Sequence, residues 1–148
     1  MKRLLFTGLV VLATSGLWLA WQLGRMMTSD AASVAAIETG RALYAAHCAS
    51  CHGTQLEGQP DWRTPLPSGR LPAPPHDANG HTWHHSDDLL FRIVKEGTAS
   101  VVGGEYESDM PGFEDVLSDA EIRAVLAYLK SAWPERERTY QESVSQAD

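Results

Sequence analysis

Residues 47–53 read HCASCHG, and Cys48 and Cys51 are the only two cysteines of the chain. A Cys-x-x-Cys pair followed at once by histidine is a strong signal for covalent attachment of haem. Spaced three apart on a helical turn, the two sulfurs face one side and can add across the two vinyl groups on one haem edge. His52 then lies where its imidazole can reach the iron. Other readings of two cysteines compete. An exported chain can form a disulfide. A zinc site needs further ligands, which His76, His81, His84 and His85 are the available residues to supply. A thioredoxin-like redox pair calls for a strand before it and a helix after it, whereas this motif ends a helix. One motif implies one haem c, attached through Cys48 and Cys51.

Iron that shuttles electrons without binding oxygen needs a ligand on its second face. Of four methionines, Met1 starts the chain and Met26 and Met27 flank an apolar segment. Met110 remains, in the run SDMPGF. Pro111 stiffens the backbone beside it, which helps hold a soft thioether against a metal. The expected metal ligands are therefore His52 and Met110, and no catalytic residue is assigned.

Outward from this motif the patterns are helical. Residues 33–47, SVAAIETGRALYAAH, place Ala36, Ile37, Gly40, Leu43, Tyr44 and His47 on one stripe, with Ser33 as N-cap. Gly40 falls mid-helix, where it costs about 1 kcal/mol relative to alanine and marks a close approach by another element. Residues 54–81 hold six prolines and read as a long loop, with Trp62, Leu66 and Leu71 as material to bury. SDDLLFRIVKEG (86–97) has a serine cap, two acids in its first turn and Gly97 at its end. Residues 98–116 read as a second, glycine-rich loop. Ser118 and Glu121 form a capping box ahead of a face of Ile122, Val125, Leu126, Leu129 and Trp133. Residues 134–148 are polar and charged, a short surface helix and then a frayed tail. No strand signal rises above noise, so the fold class is all-α.

From Leu4 to Leu23 the chain carries no charge, and Lys2 and Arg3 precede that run. Twenty residues at helical rise span about 30 Å, the thickness of the hydrocarbon layer. Trp18 and Trp21 suit the headgroup level. The expected organisation is an N-terminal anchor over 1–28, a haem domain over 33–133 and a polar C-terminal tail over 134–148. The alternative is a long signal peptide cut after Ser29-Asp30-Ala31. Both place the folded part outside the cytoplasm, since the basic pair stays inside. Residues 29–148 hold 9 of the 12 basic and all 19 acidic side chains, a formal charge of −10. Nucleic acid is a poor partner for such a surface, and a protein with a basic face a better one.

HCASCHG after a helix bearing glycine and tyrosine, DMPGF in a late loop and LSDAEIRAVLAYLKSAW at the end together resemble class I cytochrome c. The likeness covers roughly residues 34–133. The stretch PAPPHDANGHTWHHSDDLLFRIVKEG further resembles membrane-associated bacterial relatives of that class. The resemblance implies three main helices around one covalently bound haem, with Gly40 crossing the last of them at Tyr128. It also implies Cys48 and Cys51 as thioether attachments, His52 as proximal ligand and Met110 as distal ligand. A proline carbonyl is expected to accept from the His52 ring, and Pro65, Pro67, Pro72, Pro74 and Pro75 all compete for that place. The cluster of His81, His84 and His85 with Trp83 reads as donors to haem carboxylates, as a copper-binding patch, or as a turn packed on the haem edge. The implied function is single-electron transfer on the outer face of the inner membrane. The expectation is a tethered carrier or a subunit of a membrane oxidase or reductase complex, single-pass, with the haem domain in the periplasm and no small organic substrate. The alternatives are a haem enzyme or sensor with an open distal site, and copper handling by the histidines.

Overall fold

A computed structural model describes Trp18, Gln22 and residues 33–147. Two compact units divide the chain at Ala35/Ala36, and the elements that build the site belong to the second. The anchor expected over 1–28 lies outside the described residues, apart from Trp18 and Gln22. Among the described residues no helix is long and apolar enough to cross a membrane, and none forms a strand.

Helical backbone covers residues 33–47 (α1), so Ser33 is itself helical rather than a cap. After a turn at Cys48 comes the single helical turn Ala49–His52 (α2). Residues 54–81 are irregular, as their prolines require, yet tightly tied. Gln59 N donates to the Ala73 carbonyl and Ala73 N to Gln59 Oε1, each at 2.9 Å. The Leu56 carbonyl accepts from His76 N at 2.8 Å. Leu56 adopts φ 67° with its side chain 4% exposed. The left-handed backbone costs leucine about 1–2 kcal/mol, and burying the side chain contributes about 1.5–3 kcal/mol, so packing wins.

A 3₁₀ turn at Thr82–His84 leads into Asp87–Glu96 (α3). Ser86 caps α3, with Asp87 and Asp88 in the first turn and Gly97 at φ 86° ending it. The stretch expected to be loop from residue 98 opens instead with a short helix, Thr98–Val102 (α4). Five residues are little more than one turn, too few for an apolar period to show in sequence. The last family-like helix, Asp119–Ser131 (α5), starts at the expected capping box: Glu121 N donates to Ser118 Oγ, and Ser118 N to Glu121 Oε2 at 2.8 Å.

The core joins Tyr44, Leu56, Leu90, Leu117, Ile122, Val125, Leu126, Leu129 and Trp133. At its centre α1 crosses α5 with backbones almost touching. A Cβ on Gly40 would overlap the Ala124 carbonyl and come within 3.0 Å of Val125 N. The glycine therefore meets Ala124, one turn before the expected Tyr128, and Tyr128 pairs with Tyr44 at 5.5 Å between ring centroids.

The polar stretch expected as a short surface helix and then a frayed tail forms one longer helix, Glu135–Ala147 (α6), packed on the 3₁₀ turn. Its anchor is polar, so hydrophobic patterning did not show how far it extends. Gln141 is fully buried, and its Nε2 donates to Asp87 Oδ1 at 2.7 Å and to the His85 carbonyl at 3.2 Å.

Candidate haem site

The Cys-x-x-Cys-His motif is held by its own backbone. Cys48 N donates to the Tyr44 carbonyl at 2.9 Å and His52 N to the Cys48 carbonyl at 3.0 Å. The hydroxyl of Tyr44 donates to the Gly53 carbonyl at 2.7 Å and closes the turn. Cys48, Cys51, His52 and Met110, 58 residues further on, all line one cavity of about 430 Å³. The structure thus brings together every residue expected at the site. Leu90, Ile93 and Val94 of α3 and Val125, Leu126 and Leu129 of α5 give it apolar walls. Leu66 and Leu71, expected as buried material, line the same cavity at 44% and 42% exposure.

His52 is 6% exposed, and its Nδ1 lies 2.9 Å from the Pro74 carbonyl. A carbonyl only accepts, so Nδ1 carries the proton and Nε2 keeps its lone pair free for a metal. Of the five competing prolines, Pro74 is the one in place. Burial pushes the His52 pKa below its ordinary value, and the Pro74 bond partly opposes that. The ring stacks on His76 at 4.0 Å between centroids. His76 Nδ1 is 2.8 Å from Thr82 Oγ1, and burial first, then His52 and His81, hold its pKa well below the usual range. Both imidazoles are neutral at pH 7.

Cys48 and Cys51 are both free and both line the cavity. Burial, then Cys51, pushes the Cys48 thiol up to about 11. Redox-active cysteines have the opposite shift. Cys48, the first thiol of the motif, therefore lacks the depressed pKa of a reactive cysteine.

Met110 is half-buried, and Thr98 Oγ1 donates to its Sδ at 3.3 Å. Thr98 was not readable as a site residue, because α4 itself was not. The backbone beyond Met110 is seated on the end of α3. Phe113 N lies 3.0 Å from the Val94 and Lys95 carbonyls, and a Cβ on Gly112 would sit 2.8 Å from Lys95 O.

The histidine cluster does not converge. His81 and His85 line the cavity and meet edge to face at 5.2 Å. His84 stacks instead on Trp83 at 3.7 Å. Among the described residues no group of three or more His, Cys, Asp or Glu is placed to hold a metal ion. The copper and zinc readings therefore lack a ligand set there.

The donor set fits a haem: two thiols, a neutral imidazole with a free Nε2, a thioether, and an apolar cavity within the roughly 300–1,000 Å³ of cofactor pockets. The family model for cytochrome c matches residues 37–133, from the glycine-bearing helix to Trp133. No curated protein and no solved structure matches the chain. A match over well more than half of the chain, on the residues that build this cavity, makes the protein a member of the cytochrome c family, binding haem c covalently and carrying single electrons.

Proposed function

We propose that the chain is a monohaem electron carrier tethered to the outer face of the inner membrane. It relays single electrons between a reductase and a terminal acceptor, or serves as the cytochrome subunit of a membrane redox complex. The observation that supports this best is the convergence of Cys48, Cys51, His52 and Met110 on one apolar cavity. Haem c supplies a one-electron iron couple when bound. Cys48 and Cys51 would hold it by thioethers, with His52 Nε2 and Met110 Sδ as iron ligands. The Pro74 carbonyl fixes the ring orientation of His52 and raises its basicity as a ligand. Met110 favours reduced iron, and the apolar walls exclude water and raise the potential further.

The uncharged run Leu4–Leu23 after Lys2 and Arg3 supports the single-pass tether and the periplasmic setting. The charge of −10 over residues 29–148 suits redox partners with basic faces. Intact mass of the mature protein tests the attachment and the tether together. We expect one added haem and a retained N-terminus, and no added haem in a Cys48→Ala/Cys51→Ala variant. Carbon monoxide tests the distal ligand: the ferrous native protein binds it slowly and Met110→Ala rapidly. Rapid binding by the native protein would instead support the open-site enzyme or sensor.

A further inference from the structure

Met110 is held unevenly. On its C-terminal side, Phe113 N and Glu114 N bond to carbonyls at the end of α3. On its N-terminal side the backbone bonds are local: Tyr106 N to the Gly103 carbonyl at 3.3 Å and Met110 N to Ser108 Oγ at 3.1 Å. That side also carries Glu105, Glu107 and Asp109, three like charges in five residues. What reaches across to it is Arg70, from the proline-rich loop. Its Nε donates to Glu107 Oε2 at 3.2 Å and its Nη1 to Asp109 Oδ1.

Arg70 stands on a closed turn, with Leu66 N donating to the Arg70 carbonyl at 2.9 Å and Gly69 N to the Leu66 carbonyl at 2.8 Å. Leu66 and Leu71 on one side and Asp109 and Met110 on the other line the same cavity, so the guanidinium joins two of its walls at the rim. A planar fork can serve two carboxylates at once, which a lysine ammonium does less well.

We propose that Arg70 is a positioning residue: it clasps the 103–110 segment to the proline-rich loop and so sets how often Met110 leaves the iron. This rests on Met110 being the distal ligand. The three side chains are 39%, 66% and 63% exposed, so each ion pair is weak and screened by salt. The clasp therefore acts on opening of the segment rather than on the fold.

The test uses the full-length haem-loaded protein, with two readouts: the rate of carbon monoxide binding to the ferrous form, and amide hydrogen exchange over residues 103–110. At low salt Arg70→Ala should speed both by about two- to fivefold, the worth of an exposed pair. Arg70→Lys should fall between. The swap Arg70→Asp/Asp109→Arg should recover most of the native rate. Near 1 M salt, where the Debye length is about 3 Å, native protein and Arg70→Ala should converge. Unchanged rates in Arg70→Ala at low salt, or a difference as large at high salt as at low, would overturn the clasp. Met110→Ala run in parallel separates the two claims. If it binds carbon monoxide rapidly while Arg70 variants behave as native, only the clasp is lost. If it behaves as native, the ligand assignment is lost and the clasp's effect on iron with it.

Discussion

Replacing Gly40 with alanine sets two physical effects against each other, and the sign of the result decides between them. In a helix interior, alanine is favoured over glycine by about 1 kcal/mol. An isolated α1 would therefore gain. In the folded protein the new Cβ overlaps the Ala124 carbonyl. Both sides of that contact are backbone, so no side-chain rotation relieves it, and the helices must move apart by about 1 Å. A gap of that size forfeits roughly a quarter to a half of the dispersion contact along the seam. Tyr44 and Val125, each 2% exposed, lie on that seam. Overpacking of this kind costs about 1–3 kcal/mol, and a contact that cannot yield belongs at the upper end. The net expectation is a loss of about 2 kcal/mol after crediting propensity. Denaturant unfolding followed by far-ultraviolet circular dichroism measures it, as a lower midpoint at an unchanged slope. A Gly40→Ala protein as stable as the native one would refute the close crossing of α1 and α5.

Three further outcomes follow from the same contacts. Thr98→Val removes the hydroxyl that donates to Met110 Sδ at 3.3 Å; a hydrogen bond of about 0.5–1.5 kcal/mol is lost, and carbon monoxide binding should speed by about two- to tenfold, with no change meaning the hydroxyl does not hold the sulfur. Trp133→Phe removes the 2.7 Å bond from Trp133 Nε1 to the His76 carbonyl together with part of a ring that is 2% exposed, so the denaturation midpoint should fall by the equivalent of at least about 1–3 kcal/mol while the haem spectrum stays native. Asp87 gives an acid limb: burial raises its pKa, but Lys130 and Gln141 together outweigh that and hold it below 3.8. A depressed carboxyl pKa contributes stability that is fully present above the unfolded value and lost as pH falls through the folded one. Asp87→Asn should therefore flatten the stability loss below pH 3.8, and an identical slope in the variant would show that Asp87 does not couple to folding.

Much of the architecture was legible because it is written locally. The stripe on α1, the Ser86 cap and the Ser118/Glu121 box are relations between residues three or four apart, the period at which helical side chains and caps meet. The spacing of Cys48, Cys51 and His52 was legible for the same reason, and Met110 stood out as a candidate because three of the four methionines fall at or before residue 27; the fold places all four on one cavity. Trp62, Leu66 and Leu71 read as material to bury, but Trp62 is half-buried and Leu66 and Leu71 stay 44% and 42% exposed at the cavity.

What the chain order could not reveal joins residues far apart. Five prolines compete until the fold sets Pro74 against His52, 22 residues earlier. A stretch whose composition reads as a short surface helix and then a frayed tail stays helical through Ala147, with Gln141 bonded to Asp87, 54 residues away. Arg70 reads as one more surface charge until a loop closes and brings Glu107 and Asp109 to it. Local periods and caps depend on neighbours in sequence and are readable there. Which carbonyl a ring faces, or which carboxylate an arginine meets, depends on how distant segments are packed, and only the tertiary structure settles that.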